Sequence, residues 1–380
     1  MPKTKFPQHI DALTPTWLTC VLHDNGVLPQ STVTNLTIEP LSGGYTASLF
    51  RLLLQYDHND GSGPASLVVK LPPESEAIQR YFEYQRIYER EVRFYREIAR
   101  TRQLPVPVCY AAEFDDHSGR FVLVLEDLSA ARLGDWENDP VNDIRFALGN
   151  LAELHAAFWD APQLDQHDWI VNCGDLNHPP LYRELWRENL EQVRQRYQDQ
   201  IAGSIWTACD KWRDHWEDVM LCMGQDSHTL VHTDVHLEQM FFPTEALSRF
   251  ALFDWQNPTR GWAAEDVIHA IVCDLDIEDR RRHESELING YHDQLCQLGI
   301  QGLSRQRFWF QCRLSLLWIY FMFFTLLSQP DMRETLEAEI QAAGSSLDDW
   351  ILAPLAAVTE DWKLAEAIDQ AVAEVRSRTC

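Results

Sequence analysis

Val231 to Trp255 reads VHTDVHLEQMFFPTEALSRFALFDW, and how this stretch folds decides how the whole chain folds. Short apolar runs, Leu230–Val231, Met240–Phe242 and Ala251–Phe253, read as brief buried strands, and the polar loops between them carry a histidine and two aspartates, His232, Asp234 and Asp254. The two aspartates stand 20 positions apart, the length of one hairpin, which would bring their carboxylates close together. Like charges repel at that range unless a cation lies between them. A metal ion and a base are the economical reading of the stretch.

Composition sets the bounds around it. The chain has 380 residues, 45% hydrophobic and 24% charged, which predicts a globular protein long enough for two lobes with their own cores. A formal net charge of −26 opposes binding to nucleic acid phosphates and to an anionic membrane surface, and favours a cationic or neutral small molecule. Nine cysteines, an odd number, without a C-x-x-C pair carry neither a zinc site nor a disulfide framework. The opening MPKTKFPQHIDALTP lacks the apolar run of a signal peptide, so a cytoplasmic location is expected. Leu314 to Leu327, LSLLWIYFMFFTLL, is the most apolar segment but short for a bilayer span, and is expected as a buried helix.

Outward from the central stretch, the chain reads as a strand-rich first part and a helical second. Asp11 to Val27 has the spacing of a short amphipathic helix with Pro15 near its start. Strands are predicted over Val33–Pro40 and Leu49–Tyr56, separated by SGGYTAS, whose Ser42, Gly43 and Gly44 would let backbone N–H groups approach an anion. Ser66 to Pro73 is a third strand ending near Lys70, a cation that is costly to bury unless paired. The helical stretch Glu74–Arg100 offers Glu91, one turn from Tyr95 beside an apolar stripe, with Glu89 as rival. LPVPVCY (Leu104–Tyr110) and FVLVLEDLS (Phe121–Ser129) are read as two more strands, the second apolar enough to be central and ending on Glu126 and Asp127. A boundary near Leu128 follows, giving a first lobe over 1–128 and a second over 129–380. In the helix Asp143–Trp159, His155 is expected as a satisfied core residue.

Taken together, the glycine loop between strands, the strand lysine, the helix glutamate, the apolar strand with an acidic end, H-x-D with Gln239 after it, and F-D-W resemble the aminoglycoside phosphotransferase and choline kinase-like family. E-x-x-F-Y at Glu91 and D-W-Q at Asp254 are most similar to its ecdysteroid kinase-like branch. The resemblance spans about Leu36 to Tyr291. It implies an α+β, protein-kinase-like two-lobe fold, with a small antiparallel-sheet N-lobe holding one main helix and a larger, mostly helical C-lobe. It further implies a small-molecule kinase that uses ATP and Mg2+. By the same resemblance Lys70 would grip the nucleotide phosphates and Glu91 hold the lysine. Ser42, Gly43 and Gly44 would cover the phosphates, and Glu126 and Leu128 would face adenine through their backbone. Asp234 would be the catalytic base with His232 supporting its loop, Asp254 and Gln239 would bind magnesium, and Asp266 would brace the loop.

Two positions depart from the family pattern: Thr233 stands where H-G-D has glycine, and Gln239 where asparagine is usual. A glutamine carbonyl is still an oxygen ligand. The alternative reading is therefore a pseudokinase or a nucleotide- or ligand-binding module, with nucleotidyl transfer as a third. Two acceptor classes remain open. Carboxylates in CDLDIED (Cys273–Asp279) would suit a cationic amino alcohol, while Trp255, Trp262, Trp318, Tyr320 and Phe324 would suit a hydrophobic ring alcohol.

Overall fold

The computed structural model describes residues 6–41, 46–58, 61, 63–75, 79, 82, 85–101, 104–172 and 180–379. They form two compact units, and the chain passes between them more than once: residues 1–133 join 240–257 in the first, and 134–239 join 258–380 in the second. The sequence alone suggests one crossing near Leu128. The segment 240–257 returns to the first unit because its short strands find their partners there.

The first unit is built on a five-stranded antiparallel sheet in the order β1-β2-β3-β5-β4, with β1 Val33–Leu41, β2 Ser48–Tyr56, β3 Ser66–Leu71, β4 Cys109–Phe114 and β5 Phe121–Glu126. Lys70 thus lies on the middle strand, opposite Leu49 on one side and Leu123 on the other. Phe121 to Leu125 are all buried, as an interior strand with both faces covered requires. The fourth strand begins at Cys109 rather than Leu104, because Pro105 and Pro107 lack the N–H a ladder needs. Helix α1, Pro15–Asp24, is capped by Thr14, whose hydroxyl accepts from Trp17 N at 3.2 Å, and buries Leu18 and Leu22 against the sheet core. The glutamate-bearing helix is α2, Ile87–Arg93, continued by a π turn over Phe94–Ile98. A two-residue strand, β6 Arg132–Leu133, pairs with Met240–Phe242, which pairs in turn with Ala251–Leu252.

The second unit is helical. Its helices are α3 Pro140–Ala157, α4 Pro180–Tyr197, α5 Gly203–Asp214, α6 Trp216–Met223, α7 Ala264–Asp274, α8 Ile277–Gln297, α9 Arg305–Ser328, α10 Pro330–Ala342, α11 Ala353–Asp361 and α12 Leu364–Thr379. A small sheet of Val171–Asn172, Thr259–Gly261 and Thr229–Val231 leads into the loop that starts at His232. Helix α9 extends well beyond the apolar run read in the sequence. Among the described residues it is the one helix long and apolar enough to cross a membrane, but 61% of its most apolar window is buried inside the protein, as in a core helix.

Candidate active site

In the first unit, three charges meet. Lys70 Nζ lies 3.0 Å from Glu91 Oε1 and 2.5 Å from Asp254 Oδ1, although these residues come from β3, α2 and the segment after Ala251–Leu252. Lys70 is 6% exposed and Glu91 1%, whereas the Asp254 side chain is 28% exposed. The rival Glu89 is held by Arg86 and Arg93 instead. Burial works against the lysine charge, but the Asp254 and Glu91 carboxylates together hold its pKa above the ordinary value. For Glu91 burial wins: its carboxyl is pushed up to about 7, with Lys70 opposing the rise and Asp254 adding to it. Two carboxylates share one ammonium, so the more buried of them carries the uncompensated cost. Trp255 fixes the strand end, its ring stacked on Phe94 at 4.2 Å and its indole N–H donated to Leu252 O at 3.0 Å. Asp254 adopts a left-handed backbone, φ 66°, which aspartate tolerates better than most residues.

In the second unit, one helix holds the loop from His232 to Gln239. Asp266 on α7 accepts from the backbone N–H groups of His232 at 2.8 Å and Thr233 at 2.7 Å. One turn on, His269 Nδ1 contacts Val235 O at 2.9 Å, and at the helix end Asp274 accepts from Leu237 N at 2.9 Å. Donors and acceptors on both sides of Asp234 are thus tied to a single rigid element. Burial opposes ionisation of Asp266, but His155 and His232 hold its carboxyl below the ordinary range. Thr233 has φ 72°, a left-handed conformation that costs a β-branched residue roughly 1–2 kcal/mol relative to glycine, and the two bonds to Asp266 hold the turn in place. Burial likewise opposes the charge of Asp234, yet its neighbours His236, His269 and His232 and the Gln239 amide keep its carboxyl below the ordinary value. His269 Nε2 stands 3.6 Å from Asp234 Oδ1.

Gln239 donates from Nε2 to Asp234 Oδ2 at 3.0 Å, which leaves its Oε1 buried with no partner. An orphaned buried carbonyl costs about 1–3 kcal/mol and is the kind of hard oxygen a magnesium ion accepts. Among the described residues no group of three or more His, Cys, Asp or Glu could hold a metal ion. A single carbonyl oxygen of this kind fits a cation that takes most of its ligands from phosphates and water, the usual way of binding Mg2+.

The remaining expected residues fall as follows. Ser42, Gly43 and Gly44 lie outside the described residues. Glu126 ends β5; its N–H donates to Val108 O at 2.8 Å and its carboxylate accepts from Val108 N at 3.0 Å and pairs with Arg249. Leu128 is buried and its carbonyl accepts from Ala131 N at 2.8 Å. His155 is a core residue bridging Tyr291 OH at 2.5 Å and Asp266 Oδ2 at 3.0 Å. In the acidic stretch Asp274 is buried and also accepts from Trp136 Nε1 at 3.0 Å, and Asp276 caps α8. Of the five aromatics, Trp255, Trp262, Tyr320 and Phe324 are core, and only Trp318 is partly exposed. Sequence reading missed His269 and placed Asp274 in a stretch suited to a cationic substrate rather than as a loop anchor, although the spacing of both after Asp266 on an amphipathic helix is visible.

Residues 42–301 match the model of the ecdysteroid kinase-like family. In fold, the chain is similar to a protein assigned as an aminoglycoside phosphotransferase from Ralstonia eutropha JMP134, with a TM-score of 0.53 and 17% identity over 93% of this chain and 98% of that one. It is also similar to a choline kinase from Cryptosporidium parvum Iowa II, with a TM-score of 0.52 and 12% identity over 90% and 92% of the two chains. A third similar structure is a GDP complex of aminoglycoside 2'-phosphotransferase-IIIa, with a TM-score of 0.50 and 13% identity over 92% and 97%. No curated protein matches by sequence. These likenesses identify the α+β two-lobe, protein-kinase-like fold.

Proposed function

Since the chain belongs to the ecdysteroid kinase-like family, we propose that it transfers the γ-phosphate of ATP to a hydroxyl of a small molecule, with Mg2+. The observation that carries this reading is the buried ammonium of Lys70 between Glu91 and Asp254, a desolvated charge cluster of the kind that gathers at functional sites. Phosphoryl transfer needs little covalent chemistry from a protein; it needs positioning and charge neutralisation. Lys70 is suited to grip nucleotide phosphate oxygens, with Glu91 fixing its rotamer. Glu126 O and Leu128 N would be the backbone groups to read a base, Glu126 N and Leu128 O being bonded within the protein. Asp254 in the first unit and Gln239 Oε1 in the second each offer an oxygen of the kind magnesium takes, and the ion would supply charge neutralisation on the phosphates. Asp234, ionised and pinned by α7, would orient the acceptor hydroxyl and take its proton, with His232 fixed in the same loop.

Of the two acceptor classes, the hydrophobic alcohol is better supported. Asp274 and Asp276 are engaged within the protein, whereas Met322 Sδ of α9 lies 3.4 Å from His269 Nε2, carrying an apolar surface to the neighbourhood of Asp234. The test is a broad panel of amino alcohols and ring alcohols with MgATP and MgGTP, scored by product mass, which also separates phosphoryl from nucleotidyl transfer. Asp234→Asn should retain nucleotide binding and lose transfer, and Asp254→Ala should weaken magnesium-nucleotide binding; equal loss of nucleotide affinity in both would refute the division of roles. A non-catalytic nucleotide-binding module is the second reading, favoured by Gln239 occupying one oxygen of Asp234. It would be established by a melting shift with MgATP and no product from any acceptor.

A further inference from the structure

Gln256 closes the D-W-Q triplet, and the protein-kinase D-F-G has glycine at that place. A glycine there has no side chain, so whatever Gln256 does is an addition to the shared machinery. The Gln256 side chain is buried, 5% exposed, on the same strand end as Asp254. Its amide closes a two-way bond with one hydroxyl: Nε2 donates to Thr46 Oγ1 at 2.7 Å, and Thr46 Oγ1 donates to Gln256 Oε1 at 3.1 Å. Thr46 is 210 positions away in sequence and directly follows the Ser42–Tyr45 segment. The carbonyl of Thr46 is held as well, accepting from Tyr88 OH at 2.8 Å. Tyr88 lies one turn before Glu91 on α2, is 1% exposed, and stacks on Phe121 of β5 at 4.8 Å. The Gln256 amide also stands among the groups that favour the ionised form of Glu91.

We propose that Gln256 is a positioning residue: its amide tethers Thr46, at the entry to β2, to the strand end that carries Asp254, while Tyr88 holds the Thr46 carbonyl to the helix that carries Glu91. The tether makes Thr46 and the Lys70–Glu91–Asp254 cluster one mechanical unit, so that the chain enters β2 from a fixed point. A glutamine suits this place because its amide offers a donor and an acceptor in one plane, matching a hydroxyl that can both accept and donate. Glutamate would lose the donor and face Glu91 and Asp254 with a third negative charge. The role in nucleotide binding rests on the kinase reading; the tether itself does not.

The experiment compares the full-length protein with Gln256→Ala, Thr46→Val and the double variant. The control is Tyr56→Phe, which removes a comparable bond, Tyr56 OH to Pro64 O at 2.7 Å, elsewhere in the same unit. MgATP affinity is read by calorimetry, and amide exchange at Ala47–Phe50 is read without nucleotide. Each single variant should weaken MgATP roughly fivefold, the scale of one net hydrogen bond, and the double should be no worse than either single because both break the same link. Exchange at Ala47–Phe50 should rise in all three variants and stay unchanged in Tyr56→Phe. Wild-type MgATP affinity in the single variants, or additive losses in the double, would overturn the coupling. If the wild-type protein binds no MgATP, the kinase reading fails and the exchange arm decides the tether alone: unchanged exchange in Gln256→Ala overturns it.

Discussion

Lys70→Met removes the cation from a site that holds two carboxylates. Methionine fills much of the space of the lysine stem, so the loss is mainly electrostatic. Removing one partner of a buried pair costs about 3–5 kcal/mol when the other stays charged. Glu91, at 1% exposure and already pushed up to about 7, has a way out, since it can take a proton. The sign follows from linkage. A carboxyl whose folded pKa lies above its unfolded value binds more protons when folded, so its contribution to stability is present at low pH and is lost as pH rises towards the folded pKa. Without Lys70 that folded pKa rises further. The variant should therefore be about 3 kcal/mol or more less stable than wild type at pH 8, and recover by up to about 1.4 kcal/mol per pH unit on acidification to pH 6. Glu91→Gln in the Lys70→Met background should restore most of the loss at pH 8 and remove the pH dependence. Urea unfolding of the three proteins at pH 6, 7 and 8 measures this. A loss under 1 kcal/mol at pH 8, or no rescue by Glu91→Gln, would refute the account of a buried carboxylate stabilised by the lysine.

Thr233→Gly should raise stability by about 0.5–1 kcal/mol, the left-handed strain relieved less the extra entropy of glycine in the unfolded chain; a lower melting temperature would show that the φ of 72° costs nothing here. Gln239→Met deletes the orphaned Oε1 and also the Nε2 bond to Asp234, two opposing effects on ligand-free stability, while magnesium-dependent nucleotide affinity should fall about tenfold; unchanged affinity in calorimetry would remove Gln239 from the ligand set. His228 is held neutral by burial, its pKa lowered from 6.5 with Nε2 against Met223 O at 2.8 Å, so its contribution is lost as pH falls below 6.5, where the unfolded histidine takes up a proton first. His228→Gln should flatten the acid limb of the stability profile between pH 6.5 and 5 relative to wild type, and parallel limbs in the two proteins would refute this.

Local chemistry makes much of this chain legible before it folds. Alternation and β-branching place Lys70 on a strand, helical periodicity puts Glu91 on the inward side of its helix, and H-x-D and F-D-W mark short buried strands that must release polar groups into loops. Glycine and proline punctuation gave the turns, though the prolines at 105 and 107 read as strand when they delay it to Cys109. The partners, by contrast, are chosen by packing between distant elements. Lys70 bonds Asp254 across 184 positions as well as Glu91 across 21, and no spacing rule links the first pair. The acidic stretch Cys273–Asp279 reads in sequence as one place for a cationic substrate, and in the fold its Asp274 anchors Leu237, because a buried acid goes to whichever unpaired N–H the fold delivers to it. The strain at Thr233 and the tether from Gln256 to Thr46 are of the same kind. Propensity and pattern act over a few residues, whereas the choice of hydrogen-bond partner is made by which elements pack together, and that is settled only when the whole chain has folded.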